Sequence, residues 1–132
     1  MAAVLVPELS VSDIGRSLAF YCSVLGFGLR YQRADEGFAF VELGGAGLML
    51  DQLGLGRDWV TGALEPPFGR GVNFQFALDD LEPLLKRLAA SEITPFVPVE
   101  TKVYKAGDRL ITQLQCCVQD PDGYLLRFCA RV

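Results

Sequence analysis

The chain has 132 residues, enough for one domain or two small halves sharing a core and too few for a multidomain assembly. Its 51% hydrophobic residues exclude disorder, and 12 Lys and Arg against 16 Asp and Glu leave a net charge of −4, which repels phosphate backbones and admits a cationic small molecule. Histidine is absent, which excludes a histidine base, proton shuttle or metal ligand.

Alternating apolar residues predict a first strand over 4–11. A helix follows, with Ser12 as the expected cap, an apolar stripe of Ile14, Leu18, Tyr21, Cys22 and Leu25, and Gly26 as its stop. Period-two segments at 27–34, 37–43 and 46–52 predict three more strands. Leu53 to Arg70, with Gly54, Gly56, Gly62, Pro66, Pro67 and Gly69, is a long linker. The pattern then repeats: a strand at 71–78, a helix capped by Asp79 or Asp80 with the stripe Leu81, Leu84, Leu85 and Leu88, and strands at 95–104, 110–119 and 123–129. Lys102 to Arg109 reads as an exposed hairpin of mixed charge.

No apolar run reaches the ~18–20 residues that span a bilayer. The opening Met1 to Val6 has no basic residue and stops at Pro7-Glu8, so neither a signal peptide nor a membrane partner is expected, and the location expected is cytoplasmic. Cys22, Cys116, Cys117 and Cys129 form no Cys-x-x-Cys pair; they are expected to be reduced, mostly buried small hydrophobes without metal or redox roles.

The halves align with each other. Val11-Ser12-Asp13-Ile14 matches Leu78-Asp79-Asp80-Leu81 at an offset of 67, and Gly47-Leu48-Met49-Leu50 matches Gly123-Tyr124-Leu125-Leu126 at an offset of 76, the mark of an internal duplication. The predicted class is α+β: two βαβββ modules, 1–52 and 71–132, joined by linker 53–70 in a single domain over 1–132.

Val11-Ser12-Asp13, Ser17-Leu18-Ala19-Phe20-Tyr21 and Val24-Leu25-Gly26-Phe27, with Asp79-Asp80-Leu81 and Asp120-Pro121-Asp122-Gly123, resemble the landmarks of the vicinal oxygen chelate superfamily. That superfamily includes glyoxalase I, extradiol dioxygenases, fosfomycin resistance enzymes and bleomycin resistance proteins. The resemblance implies paired βαβββ modules whose curved sheets enclose a cleft, commonly in a homodimer. It also implies metal-ligand positions on the first and last strands of each module, which fall here on Val6, Asp51, Asn73 and Arg127. Valine has no donor atom, arginine is a permanent cation and an amide is a poor ligand for a divalent metal, so no metal or other cofactor is expected. Among the branches named, this points to the metal-free bleomycin resistance proteins.

Strand alternation sorts the faces. Ala39, Val41 and Leu43, with Leu48, Leu50, Val72, Phe74, Phe76, Leu78, Leu114, Cys116 and Val118, are the expected core side. The opposite face, with two linker aromatics, gives the candidate ligand-binding residues: Glu8, Phe38, Phe40, Glu42, Met49, Asp51, Trp59, Phe68, Asn73, Gln75, Gln113, Gln115 and Arg127. Arg127 is expected to pair with Asp51 or Glu8, because a charge in a cleft wants a partner. Trp59, Pro67 and Phe68 either cover the cleft or anchor the loop. Aromatic walls with acids and amides suit a flat, cationic small molecule. Three readings follow: a homodimeric protein that sequesters a cationic aromatic antibiotic, a metal-free lyase or isomerase with Glu8 or Glu42 as base, and a ligand-sensing module without chemistry. No catalytic residue is assigned under the first.

Overall fold

The computed structural model describes residues 4–132, which form two compact units, the first running to Phe68 and including Asp120–Gly123, the second comprising Gly69–Gln119 and Tyr124–Val132. The first unit holds β1 (Glu8–Val11), α1 (Ile14–Leu18), β2 (Gly28–Arg33), β3 (Phe38–Leu43) and β4 (Ala46–Gln52), with sheet order β1-β4-β3-β2. The second holds β5 (Asn73–Ala77), α2 (Glu82–Ala90), β6 (Val97–Ala106), β7 (Arg109–Gln119) and β8 (Leu125–Arg131), in the order β5-β8-β7-β6. Each sheet has one parallel pair, first strand beside last, and two antiparallel pairs. The modules are therefore two copies of one βαβββ topology, and the chain is a two-module α+β protein as the sequence predicts.

Local chemistry adjusts the predicted boundaries. β1 starts only at Glu8: Pro7 has no N–H for the ladder, although its carbonyl still accepts from Met49 N at 2.8 Å, and Leu5 upstream is 81% exposed. Asp13, not Ser12, caps α1, its carboxylate accepting the Arg16 N–H at 2.9 Å. The helix continues as a wider π-helical segment, Ala19–Val24, in which Leu25 N bonds Phe20 O at 2.9 Å. Its buried stripe is Ser17, Tyr21 and Leu25, while Ile14, Leu18 and Cys22 are half-buried. Leu81 occupies the cap position of α2, and the Asp80 carboxylate accepts the Glu82 N–H at 3.0 Å. Val72 precedes β5 and is exposed, contrary to its expected core position.

In the first unit Leu9, Val11, Ala39, Val41, Leu48 and Leu50 are buried together with Tyr21, whose ring meets Phe27 edge-on at 5.3 Å. In the second, Phe76 stacks on Phe128 at 5.2 Å, and Leu84, Leu88 and Leu126 are buried. Cys116, Cys117 and Cys129 are buried and reduced, and Cys22 is half-buried. Burial pushes the Cys116 thiol up to about 11, so it is a protonated core group at neutral pH.

The register also shows where the modules differ. Glu8 lies beside Met49, but Gln75, 67 residues on, lies beside Arg127 rather than beside Leu125, the counterpart of Met49. The parallel pair has slid by two residues between the modules, a step that keeps every side chain on its face.

The turn Asp120–Gly123 belongs to the first unit and binds its helix. Asp120 accepts the Tyr21 hydroxyl at 2.7 Å, and the Asp122 carboxylate accepts Ser12 Oγ at 2.6 Å and Ser12 N at 3.1 Å, with Arg16 at 3.3 Å. Tyr21→Phe removes one donor from a buried carboxylate and is expected to cost about 1.5–3 kcal/mol, read from the urea midpoint. A change below a few tenths of a kcal/mol would show that the bond contributes nothing net.

Candidate functional site

The polar face of the first sheet is set by strand register. Ser10, Asp51, Phe38 and Arg33 are neighbours in one row across β1, β4, β3 and β2, and Glu8, Met49, Phe40 and Tyr31 form the next row. Adjacent residues in register share a face, so the first row projects a carboxylate, a ring and a guanidinium side by side. These groups and the turn after β4 wall a pocket of about 270 Å³, lined by Arg33, Glu36, Phe38, Asp51, Gly56 and Arg57.

Asp51 is 6% exposed, and its carboxylate accepts no hydrogen bond from the described residues and lines the pocket. Burial raises its carboxyl above the ordinary 3.8; Glu8 adds to the rise, Arg57 opposes it, and Asp58 and Arg33 contribute smaller effects of opposite sign. Gly56 packs on this carboxylate: a Cβ there would stand 3.2 Å from both Asp51 Oδ1 and Glu36 O. Arg33 Nε pairs with Glu36 at 2.7 Å, and its guanidinium lies over the Phe38 ring at 3.9 Å. Arg57 pairs with Glu8 at 2.8 Å and lies 4.5 Å from the ring of Trp59.

The structure brings some expected site residues together and separates others. Asp51 and Phe38 line the pocket, and Glu8 reaches it through Arg57. Phe38 and Phe40 are not open walls: they are 2% and 4% exposed, covered by Tyr31 at 5.8 and 5.6 Å and by Arg33 and Arg30. Met49 is half-buried between Glu8 and Phe40 in its row. Glu42 is exposed and lines a separate depression of about 90 Å³ with Arg30 and the Gly44–Gly47 turn. Trp59 is 76% exposed, whereas Phe68 is buried, its N–H bonded to Asp122 O at 2.8 Å.

Asn73, Gln75, Gln113, Gln115 and Arg127 belong to the second unit. Gln115 accepts from the Tyr104 hydroxyl at 2.8 Å and from Gln113 at 3.3 Å, and donates to Glu100 at 2.9 Å. Arg127 was expected to find a carboxylate; instead its Nη2 donates to the Gln75 side-chain oxygen beside it, while its buried Nε has no partner among the described residues. The neighbouring strand supplied the nearer acceptor. Asn73 is exposed.

The positions that would carry a metal therefore offer one carboxylate, Asp51, with a valine, an exposed amide and an arginine that is already a donor. This donor set does not fit a divalent cation, and among the described residues no three of Cys, Asp and Glu stand close enough to hold one. Sequence reasoning missed Arg33, Glu36, Gly56 and Arg57. Alternation along β2 puts Arg33 on the face of Tyr31, a usable signal, whereas Gly56 and Arg57 lie in a turn without periodicity.

Residues 3–128 match the family model described as Glyoxalase/Bleomycin resistance protein/Dioxygenase superfamily, and the chain belongs to that superfamily. It is 32% identical over 130 residues to glyoxalase domain-containing protein 4 of Rattus norvegicus; the match covers 95% of this chain and 40% of the relative's length. A superfamily member from Vibrio splendidus 12B01 is 39% identical across 95% of each chain, with a TM-score of 0.42. TioX from Micromonospora sp. ML1 is 20% identical, covers 99% of this chain and 100% of its own, and has a TM-score of 0.74, which shows the shared fold. Among the described residues no helix is long and apolar enough to cross a membrane.

The raised Asp51 carboxyl has a signed consequence for stability. The folded chain holds this proton to higher pH than the unfolded chain, so ionised Asp51 costs stability above its folded pKa, and the cost fades as pH falls towards 3.8. Asp51→Asn is expected to unfold at a higher temperature than the wild type at neutral pH, with the gap narrowing as acid is added. Calorimetric scans across pH check this; a gap that does not vary with pH would contradict it.

Proposed function

We propose that this protein is a metal-free small-molecule-binding member of its superfamily that sequesters a cationic aromatic ligand, an antibiotic of the bleomycin type in the leading case, without altering it. One observation carries the reading: a buried carboxylate without a hydrogen bond, Asp51, facing a pocket beside an aromatic ring. A carboxylate at the pocket wall that no protein group bonds is available to a ligand N–H, and its low exposure makes that charge-assisted bond stronger than one formed in open solvent. The cationic ligand would place its charged head on Asp51, and its ring would stack on the half-exposed Arg33 guanidinium that already lies on Phe38. Cytoplasmic sequestration accords with the reduced cysteines and with an acidic surface that attracts cations.

The same carboxylate favours a second reading, a metal-free lyase or isomerase. A desolvated acid with a raised pKa is a better general base than Glu8, which is ion-paired, or Glu42, which is exposed. Incubation with excess bleomycin, followed by mass spectrometry, separates the two. Sequestration leaves the mass unchanged with stoichiometric binding by calorimetry, and Asp51→Asn weakens that binding by about tenfold or more, the worth of a charge-assisted hydrogen bond. Product exceeding the protein in amount would establish the enzyme.

A homodimer belongs to the proposal. All six residues of edge strand β2 are exposed, Leu29 and Tyr31 at 44% each, and an uncovered strand edge with unpaired backbone groups invites a second copy. Light scattering at micromolar concentration is expected to give twice 14.4 kDa; a species of 14.4 kDa would remove the dimer.

A further inference from the structure

The charges around Asp51 narrow the ligand class further than a plain cation, an argument that rests on reading this pocket as the ligand site. Two guanidiniums, Arg57 and Arg33, act on Asp51 from the pocket wall. Each is already held by one acid, Arg57 through Nη2 on Glu8 at 2.8 Å and Arg33 through Nε on Glu36 at 2.7 Å. A guanidinium has five N–H donors in a planar fork, so a single contact leaves most of them unspent. The terminal amino groups of Arg33 have no acceptor among the described residues, and the side chain is 44% exposed, so these donors stand at the rim. Asp51 lies deeper, an acceptor without a donor. The pocket thus presents an unpaired negative group inside and unspent positive donors outside.

A bare cation gains Asp51 alone, its attraction offset in part by the nearby Arg57 and Arg33 guanidiniums, and leaves the free rim donors unused. A bare anion gains the rim but leaves Asp51 unpaired, and its charge is repelled there. A molecule carrying both charges a few bonds apart satisfies both ends. At about 270 Å³ the cavity lies just below the ~300 Å³ at which drug-sized pockets begin, which favours a small molecule or one terminal group of a larger one. The Arg33 guanidinium, seated on Phe38 at 3.9 Å, gives a flat cationic surface for a ring.

We propose that the pocket selects a small aromatic zwitterion, or a zwitterionic terminal group of a larger ligand, with its ammonium on Asp51, its carboxylate on the free N–H groups of Arg33 and its ring against the guanidinium–Phe38 stack.

Three matched probes test this by titration calorimetry on the wild-type chain: phenethylamine, phenylalanine and 3-phenylpropionate. Phenylalanine is expected to bind about tenfold tighter than either singly charged probe, the scale of one added charge-assisted hydrogen bond. Arg33→Gln should erase that advantage, bringing phenylalanine down to the affinity of phenethylamine for the same variant, and Asp51→Asn should weaken phenylalanine and phenethylamine alike. Phenethylamine binding as tightly as phenylalanine would overturn the zwitterion and leave the cation-binding reading standing. Failure of all three probes, or tight 3-phenylpropionate binding indifferent to Asp51→Asn, would overturn both. The comparison of probes needs no variant, so misfolding of a substituted chain cannot obscure it.

Discussion

The pairing of β3 with β4 decides what the first unit is. Ala39 faces Leu50 and Val41 faces Leu48, and all four are at most 1% exposed; the residues between them, Phe38, Phe40, Met49 and Asp51, face the other side. A strand's side chains alternate with a period of two, so a slip by one residue would carry Asp51 into the apolar layer and expose two leucines. Both faces of β3 are buried, one by aliphatic packing and the other by Tyr31, Arg30 and Arg33. Few registers satisfy both faces at once. The pocket inherits its precision from this constraint, because Ser10, Asp51, Phe38 and Arg33 are aligned by backbone ladders, whereas Glu36 and the Gly56–Arg57 wall depend on turns.

The landmark turn Asp120-Pro121-Asp122-Gly123 has a structural account that requires no ligand. Its two aspartates take three donors from Tyr21 and Ser12, and Gly123 is forced on two grounds. Its φ is +99°, and a Cβ would stand 2.4 Å from Pro67 Cβ and 2.6 Å from Pro67 Cα, closer than any real contact. The same turn receives Phe68 N on Asp122 O. The linker's end is thereby pinned to the helix cap, which explains why Phe68 is an anchor, while Trp59, nine residues earlier, remains at the surface.

Much of this was legible in the sequence, because burial on one face writes a period. All eight strands and both helices were visible as alternation or as a helical stripe, and Asp51 fell on the polar face by counting. What escaped has physical causes. Phe38 and Phe40 alternate correctly, yet alternation cannot say that longer side chains from β2 cover them. A bulge between Leu29 and Tyr31 shifts the pairing of β2, so the approach of Arg33 to Phe38 depends on an irregularity. Arg57 reaches Glu8 across 49 positions of sequence from a turn, and no local pattern records such a contact. The two-residue slide between modules was hidden for the opposite reason: it preserves every face and changes only which residues meet.

Net charge and local charge point in different directions here, and distance decides between them. The chain's −4 is spread over its surface, and at physiological salt such charges are screened over about 8 Å, so they bias encounter more than final affinity. Inside the pocket the deciding charges are those that line it: Arg33 and Arg57 against Asp51 and Glu36, which cancel in sum but not in position. Low exposure makes the inner carboxylate the group at which a ligand's donor is worth most, while the half-exposed arginine pairs, in high dielectric, are each cheap to rearrange. A ligand therefore gains most by satisfying Asp51 and loses little by borrowing a guanidinium from its acid. The surface draws cations towards the protein, and the ordering of charge within the pocket selects among those that arrive.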